Sequence, residues 1–255
     1  MEALSIAGLD PSGGAGILMD VKVFTLLGIR SSAVPTTLTI QTPFKFVDWV
    51  PISSLYLYNT LNALGSDINF LGIKIGMIGS EENIKIIAEF LKKQKTHKNW
   101  IVLDPVLKAT LGKKLFSGKN FIDSLKTQLL PLIDVITPNL EELIKITEEK
   151  DITSGVKKLF EFGINRGVIV TGIKEKNKVK DLLFTKEGEV IQISKERLNA
   201  EFHGTGCAFS SALLSFLIKG LPLEKAFKKA KNWLYLYLRC SLKKTEAGGG
   251  LWVFL

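Results

Sequence analysis

Two glycine-rich stretches, far apart in the chain, carry residues with the most chemistry to offer. In the last third, His203-Gly204-Thr205-Gly206-Cys207-Ala208-Phe209-Ser210 passes from glycines into a small-residue, helix-forming run that reaches Leu217. A helix that opens this way aims several free backbone N–H groups at one spot, with the helix dipole behind them. Such a turn attracts a phosphate, or the charge that develops on a phosphoryl group during transfer. Cys207 falls in the first turn, where those donors favour a thiolate, so it is placed to take a proton from an attacking alcohol. A glycine-bounded helix start with a structural cysteine fits the same residues equally well, and the rest of the chain has to decide.

The other stretch follows the opening strand: Ala7-Gly8-Leu9-Asp10-Pro11-Ser12-Gly13-Gly14-Ala15-Gly16, then Ile17-Leu18-Met19-Asp20-Val21-Lys22. This loop is flexible enough to wrap a ligand. Asp20 sits about one turn into the next helix and is expected to face back toward the loop. A plain β–α connection, with Asp10 in a turn before Pro11, is the alternative. Gln41 closes the run Thr36–Thr42, and its amide offers both donors and an acceptor, which suits an aminopyrimidine edge. Met77, in Lys74-Ile75-Gly76-Met77, is by itself a residue that more often fills core. Asp104-Pro105-Val106 follows a strand, where ligands of α/β sheets bind. Asn139 and Glu142 stand three apart at a helix start. Their oxygens suit Mg2+ held through water, and the same spacing suits an N-cap with its capping-box partner.

These residues need a scaffold, and the chain alternates short β-branched runs with helix-like stretches almost from end to end. Leu4–Ala7, Leu71–Ile75, Trp100–Leu103, Val135–Thr137 and Val168–Thr171 are expected to be buried strands. Asn83–Lys95 keeps Ile84, Ile87, Ala88 and Leu91 on one helical face. Repeated βαβ units predict a mainly parallel sheet covered on both sides, a three-layer α/β/α sandwich. Val179–Thr185 and Glu189–Ile193 form an expected hairpin, and Gly204–Lys219 and Leu223–Leu242 are expected helices. Gly248–Gly250 with the following apolar residues is expected to be a turn and a last strand. Without a linker or repeat, residues 1–255 are expected to form one domain.

Composition narrows the class. The net charge is +9, but the lysines are scattered rather than gathered into a stripe with stacking aromatics, so no nucleic-acid partner is expected. No apolar run is long enough for a membrane span, so no membrane partner is expected. With 2 cysteines there is no disulfide framework. Together with the lack of a signal-peptide pattern at the start, this predicts a cytoplasmic protein. GxxxxGK[ST] is absent, and Met19 stands where a dinucleotide fingerprint needs its third glycine. With only His97 and His203, a histidine-rich metal site is ruled out, and His97 is expected in an exposed loop.

Taken together, the motifs resemble the hydroxymethylpyrimidine/phosphomethylpyrimidine kinases of the ribokinase-like superfamily. Residues 7–22 match AGxDxSGGAGIxxDxK, Thr36–Gln41 match TxLTxQ with Thr42 replacing an asparagine, and KIGM, DPV, TPNxxE and HGTGC follow in the family's order. The resemblance implies an ATP-dependent kinase that phosphorylates 4-amino-5-hydroxymethyl-2-methylpyrimidine and its monophosphate in thiamine biosynthesis. It implies that Gly8, Asp20, Gln41, Met77 and Val106 bind the pyrimidine. It makes Cys207 the base, with the Gly204, Thr205, Gly206 and Cys207 turn as anion hole. It assigns Asn139, Thr171 and Gly172 to the nucleotide, and Glu142 with Asn139 to Mg2+ through water. A homodimer is also implied, with Trp233, Tyr235 and Tyr237 placed at the interface or in the core. The main departure is Val168-Ile169-Val170-Thr171-Gly172-Ile173 where the family has VxVKGG. A hydroxyl there brings no charge to the phosphates, and Lys174 or Lys176 is the expected substitute. A pyridoxal kinase on the same fold and a non-catalytic pyrimidine-phosphate sensor are the alternatives.

Overall fold

The computed structural model describes residues 1–42, 45–96, 98–108, 114–200 and 202–246. From the N-terminus, β1 (Glu2–Leu9) enters the first glycine-rich loop, which opens α1 (Gly16–Leu26). β2 (Arg30–Thr42), β3 (Lys45–Pro51) and α2 (Ser54–Asp67) come next. β4 (Gly72–Ile75), the short β5 (Gly79–Ser80), α3 (Glu81–Gln94) and β6 (Trp100–Leu103) continue the alternation. After the short β7 (Phe116–Ser117) and α4 (Phe121–Ser124), a π turn and a 3-10 turn carry the chain to Leu132. Then follow β8 (Val135–Ile136), α5 (Leu140–Thr147), α6 (Ile152–Glu161) and the strands β9 (Gly167–Glu175), β10 (Lys178–Thr185) and β11 (Val190–Glu196). The helices α7 (Thr205–Ile218) and α8 (Leu223–Glu246) end the described chain.

One sheet takes most of these strands, in the order β11-β10-β9-β8-β6-β4-β1-β2-β3. From β9 to β2 the neighbours run parallel, and the pairs β2–β3, β9–β10 and β10–β11 at the two edges are antiparallel. Side chains on a strand alternate between faces, so each buried strand feeds two cores. Leu4, Ile6, Ile73, Ile75, Ile101 and Leu103 pack on the side of α2, α3, α5 and α6. Ala3, Val102, Val135 and Ile169 pack on the side of α1, α7 and α8. The three-layer sandwich expected from the sequence is what forms.

That alternation has a local consequence. With Ile73 and Ile75 on one face, Lys74 must turn to the other, toward α1 and α7, and it is fully buried there. The helices covering the sheet are fixed by ordinary end signals. Ser80 caps α3 by accepting from the Asn83 N–H at 3.2 Å, with Glu81 and Glu82 in the first turn and Lys92 and Lys93 in the last.

Several boundaries differ from the expected ones. β3 and α2 were not anticipated, because β3 is a half-exposed edge strand and α2 buries only Leu57 and Leu61. β9 runs on past Thr171 to Glu175, pairing with β10. Trp233 and Tyr237 stack with ring centroids 5.0 Å apart on α8, and both are half-buried. His97 and the expected terminal strand lie outside the described residues. Among the described residues no helix is long and apolar enough to cross a membrane.

Candidate active site

The two glycine-rich loops meet in space. Gly204, the residue before α7, has a φ of 75°, and a Cβ there would stand 1.9 Å from the Gly14 carbonyl oxygen. Only glycine permits both the left-handed backbone and the close approach. A second tie runs between the same loops, from His203 Nε2 to Asp10 Oδ2 at 3.3 Å. Asp10 Oδ1 accepts from the Ser12 N–H at 2.8 Å and the Ser12 hydroxyl at 2.7 Å. Burial raises the Asp10 carboxyl, but the hydrogen bonds from His203 and Ser12 outweigh it and hold the group below its ordinary range.

Between these loops and the carboxyl ends of the parallel strands lies a cavity of about 280 Å³, where α/β sheets carry their ligands. Gly8, Gln41, Met77 and Val106 line it from the β6-β4-β1-β2 side of the sheet order, and Asn139, Glu142 and Thr171 from the β8-β9 side. The turn Gly204, Thr205, Gly206, Cys207 lines it too. In that turn Ala208 has the first amide in α7 that reaches back along the helix, to the Gly204 carbonyl at 2.9 Å. The N–H groups of Thr205, Gly206 and Cys207 precede it and have no intrahelical acceptor. Gly8, which also lines the cavity, is required for packing, since a Cβ would stand 2.7 Å from Thr37 Oγ1 and 3.1 Å from Met77 Sδ. Met77 is fixed in turn: Thr36 Oγ1 donates to its carbonyl at 2.6 Å, and Thr37 Oγ1 lies 3.4 Å from its sulfur.

Two expected residues do not line the cavity. Asp20 lies on the sheet-facing stripe of α1, with Ile17, Met19, Val23 and Phe24, rather than facing the loop. Both its oxygens lie 3.0 Å from Lys74 Nζ. Ser5 and Ser211 donate to it at 2.6 and 2.8 Å. With its side chain 0% exposed, it supports the site from beneath and cannot touch a ligand. Gly172 is the other. Its N–H donates to Asp181 at 2.8 Å, and Asp181 is paired with Lys231 of α8 at 2.6 Å. Lys174 and Lys176 are exposed and stand outside the cavity, and the lysine that lines it is Lys108. Thr171 is in place, with its hydroxyl 3.4 Å from the Pro138 carbonyl.

The electrostatics under Cys207 reverse one expectation. Burial pushes the thiol up to about 12, further raised by Asp104 and Asp20 and only partly offset by Lys74. The free N–H groups of α7 therefore do not make it a resting thiolate. Asp104, buried below the turn, is also raised, first by burial and against the pull of Lys74. For Lys74 burial alone would lower the pKa, but Asp20, Cys207 and Asp104 overcome it and hold the ammonium charged. On the β8-β9 side Glu142 is pushed to about 8 by burial and by Asp104. Asn139 and Glu142 do form the capping box: Asn139 Oδ1 accepts from the Glu142 N–H at 2.9 Å, and Glu142 Oε2 from the Asn139 N–H at 3.0 Å.

Residues 10–252 match the sequence profile of a family described as phosphomethylpyrimidine kinase. The chain belongs to the phosphomethylpyrimidine kinase family. A hydroxymethylpyrimidine/phosphomethylpyrimidine kinase of Aquifex aeolicus is 34% identical over 95% of this chain and 96% of its own length. One from Haemophilus influenzae is 35% identical over 91% and 89%. Among solved structures, a phosphomethylpyrimidine kinase from Clostridium difficile 630 superposes with a TM-score of 0.79 at 28% identity, covering 93% of this chain and 99% of that one. A pyridoxal kinase from Staphylococcus aureus in complex with pyridoxal gives a TM-score of 0.82 at 26% identity, covering 92% and 86%. The ribokinase-like fold is thus shared with both kinds of kinase.

For a phosphomethylpyrimidine kinase family member, the cavity residues that sequence reasoning left unassigned include Asp10, Phe46, Lys108 and His203, while Asp104 had been placed only at a strand end where ligands bind. Asp10, Asp104 and His203 stood inside quoted motifs, and their roles as lining residues could have been drawn from the loops they end. Lys108 adjoins the DPV motif. Phe46 lies on the unanticipated β3 and left no signal.

Proposed function

We propose that the chain, acting as a single kinase domain, transfers the γ-phosphoryl group of ATP to 4-amino-5-hydroxymethyl-2-methylpyrimidine and to its monophosphate, in thiamine pyrophosphate biosynthesis. The observation that carries this reading is the convergence of Gln41 and Met77 with the Gly204–Cys207 turn in one cavity. Gln41 reads the amino and ring nitrogens of the pyrimidine, and Met77 packs on its face. The N–H groups of Thr205, Gly206 and Cys207 stabilise charge on the transferring phosphoryl, and Cys207 meets the acceptor hydroxyl. Catalysis is then mostly alignment and charge stabilisation.

The donor set at the nucleotide end suits Mg2+. Asn139 and Glu142 supply oxygen ligands only, and burial beside Asp104 raises Glu142 to about 8, a group that a bound cation would draw back toward the carboxylate. Their capping-box bonds leave further lone pairs for water-mediated contact. Mg2+ bound there would neutralise the phosphate oxygens. Among the described residues no cluster of 3 or more His, Cys, Asp or Glu offers another metal site. We take the protein to work in the cytoplasm.

A pyridoxal kinase is the second reading, favoured by the similarity of this fold to pyridoxal kinase structures. A coupled ADP-release assay with Mg·ATP separates the two. It compares hydroxymethylpyrimidine, its monophosphate and pyridoxal, for wild type and Cys207→Ala. Both pyrimidines should turn over, and the variant should lose about 10²–10⁴-fold. Turnover of pyridoxal alone would overturn the acceptor assignment.

A further inference from the structure

We propose that Cys207 passes the acceptor's proton on to Asp104, which is the terminal proton acceptor, and that Lys74 and Asp20 position Asp104 for this. The inference rests on the kinase reading above. Its ground is a buried cluster in which Asp104 and Cys207 line the cavity and Lys74 and Asp20 lie behind them. The Asp104 carboxylate lies against the first turn of α7, which carries the thiol. Gly206 borders that carboxylate, and a Cβ there would lie 3.5 Å from Oδ2, in ordinary contact. Ser210 Oγ lies 3.5 Å from the same oxygen. Behind it, Lys74 Nζ is 4.0 Å from Asp104 Oδ2 and 3.0 Å from Asp20.

The charge count decides where a proton can go. Lys74 is one cation facing two buried carboxylates, Asp20 and Asp104, so the cluster already carries one negative charge. Ionising Cys207 would add a second in the same dry space. Protonating Asp104 instead leaves the cluster neutral. Asp20 is not available, being held by Lys74, Ser5 and Ser211. The charged or titratable groups that face Asp104 are Lys74 from β4, Asp20 from α1, Cys207 from α7 and Glu142 from α5, and Lys108 lines the same cavity.

The step balances without redox chemistry. As the substrate oxygen bonds to the γ-phosphorus, its O–H bond breaks and Sγ receives that proton. The Sγ–H bond breaks at the same time, and its proton moves to an Asp104 oxygen. The bond from phosphorus to the ADP oxygen breaks, and its electron pair leaves on ADP. Asp104 later returns the proton to water through the open cavity.

Rapid-quench single-turnover rates with hydroxymethylpyrimidine and saturating Mg·ATP test this between about pH 8.5 and about 10. The wild-type rate should be flat. A rise of about tenfold per pH unit would show a thiolate acting alone and overturn the proposal. Asp104→Asn should lower the rate by about 10²-fold or more and acquire that rise. At the same time iodoacetamide should alkylate Cys207 about tenfold faster in the variant, because a negative charge beside the sulfur is gone. A single-step base would respond in the opposite way, with activity rising alongside thiol reactivity. Unchanged activity in Asp104→Asn would also overturn the proposal. If that variant does not fold, the wild-type profile decides by itself. If wild type turns over no pyrimidine, the functional reading fails, and the alkylation comparison still decides: equal rates overturn the Cys207–Asp104 link, and a faster variant supports it.

Discussion

The two ends of the cavity are built by different means. At the acceptor end, side chains are fixed by other side chains. Met77 is held by Thr36 and Thr37, and the floor is the Lys74–Asp20–Asp104 cluster with its attendant serines. At the nucleotide end, backbone groups do most of the holding. Asn139 and Glu142 cap a helix, and the Thr171 N–H donates to the Pro138 carbonyl. An end made of interlocked buried charges tolerates little change, because each substitution leaves a partner stranded. An end made of backbone can lose a side chain, as at Thr171, and keep its shape. The sequence departs from the family pattern where the structure can absorb it.

The largest expected effect is at the acceptor end. Lys74→Met removes the cation that faces two buried carboxylates and should destabilise the fold by about 3–5 kcal/mol. Urea denaturation monitored by circular dichroism measures it, and a loss below about 1 kcal/mol would break the contrast between the ends. Gln41→Ala comes next. It should raise the KM for hydroxymethylpyrimidine by about 10–100-fold through the unpaired pyrimidine edge. The KM for ATP should stay the same, and steady-state kinetics with each substrate varied in turn tells the two apart.

A gain of function tests the other end. Thr171 lines the cavity beside Asn139, with which it shares a bridge. Thr171→Lys returns a cation to the phosphates and should lower the KM for ATP by about 3–10-fold. The pyrimidine KM should not change. An unchanged KM for ATP would mean that Lys108, already in the cavity, supplies that charge by itself.

How far these features could be read from the sequence follows the same division. The glycine turn at Gly204, the strand-end positions of Gly8 and Val106, and the Asn139–Glu142 spacing are local patterns, and local patterns survive in a sequence. Asp20 misled because its face is decided by what it packs on. The α1 period puts it on the buried stripe, and only the fold reveals Lys74, Ser5 and Ser211 waiting there. Cys207 misled for a related reason. Its place at a helix start argues for a thiolate, but burial and two carboxylates from other segments argue more strongly against it. β3 escaped because an edge strand lacks a clean alternation, and Phe46 went with it.

The smallest effect concerns the tie between the two loops, where both ends meet. The Asp10 side chain is 3% exposed, and bonds from His203 and Ser12 hold its carboxyl below the ordinary value in spite of burial. A carboxyl lowered by folding contributes stability above its unfolded value and loses it as pH falls through the folded one. Asp10→Asn should therefore cost about 1 kcal/mol near neutral pH and progressively less as the pH falls through the lowered carboxyl's own range. Thermal unfolding of both proteins across that range gives the difference directly. A gap that persists undiminished in acid would show that the loops are held by shape, through Gly204 against Gly14, and that the Asp10–His203 pair adds no charge-dependent stability.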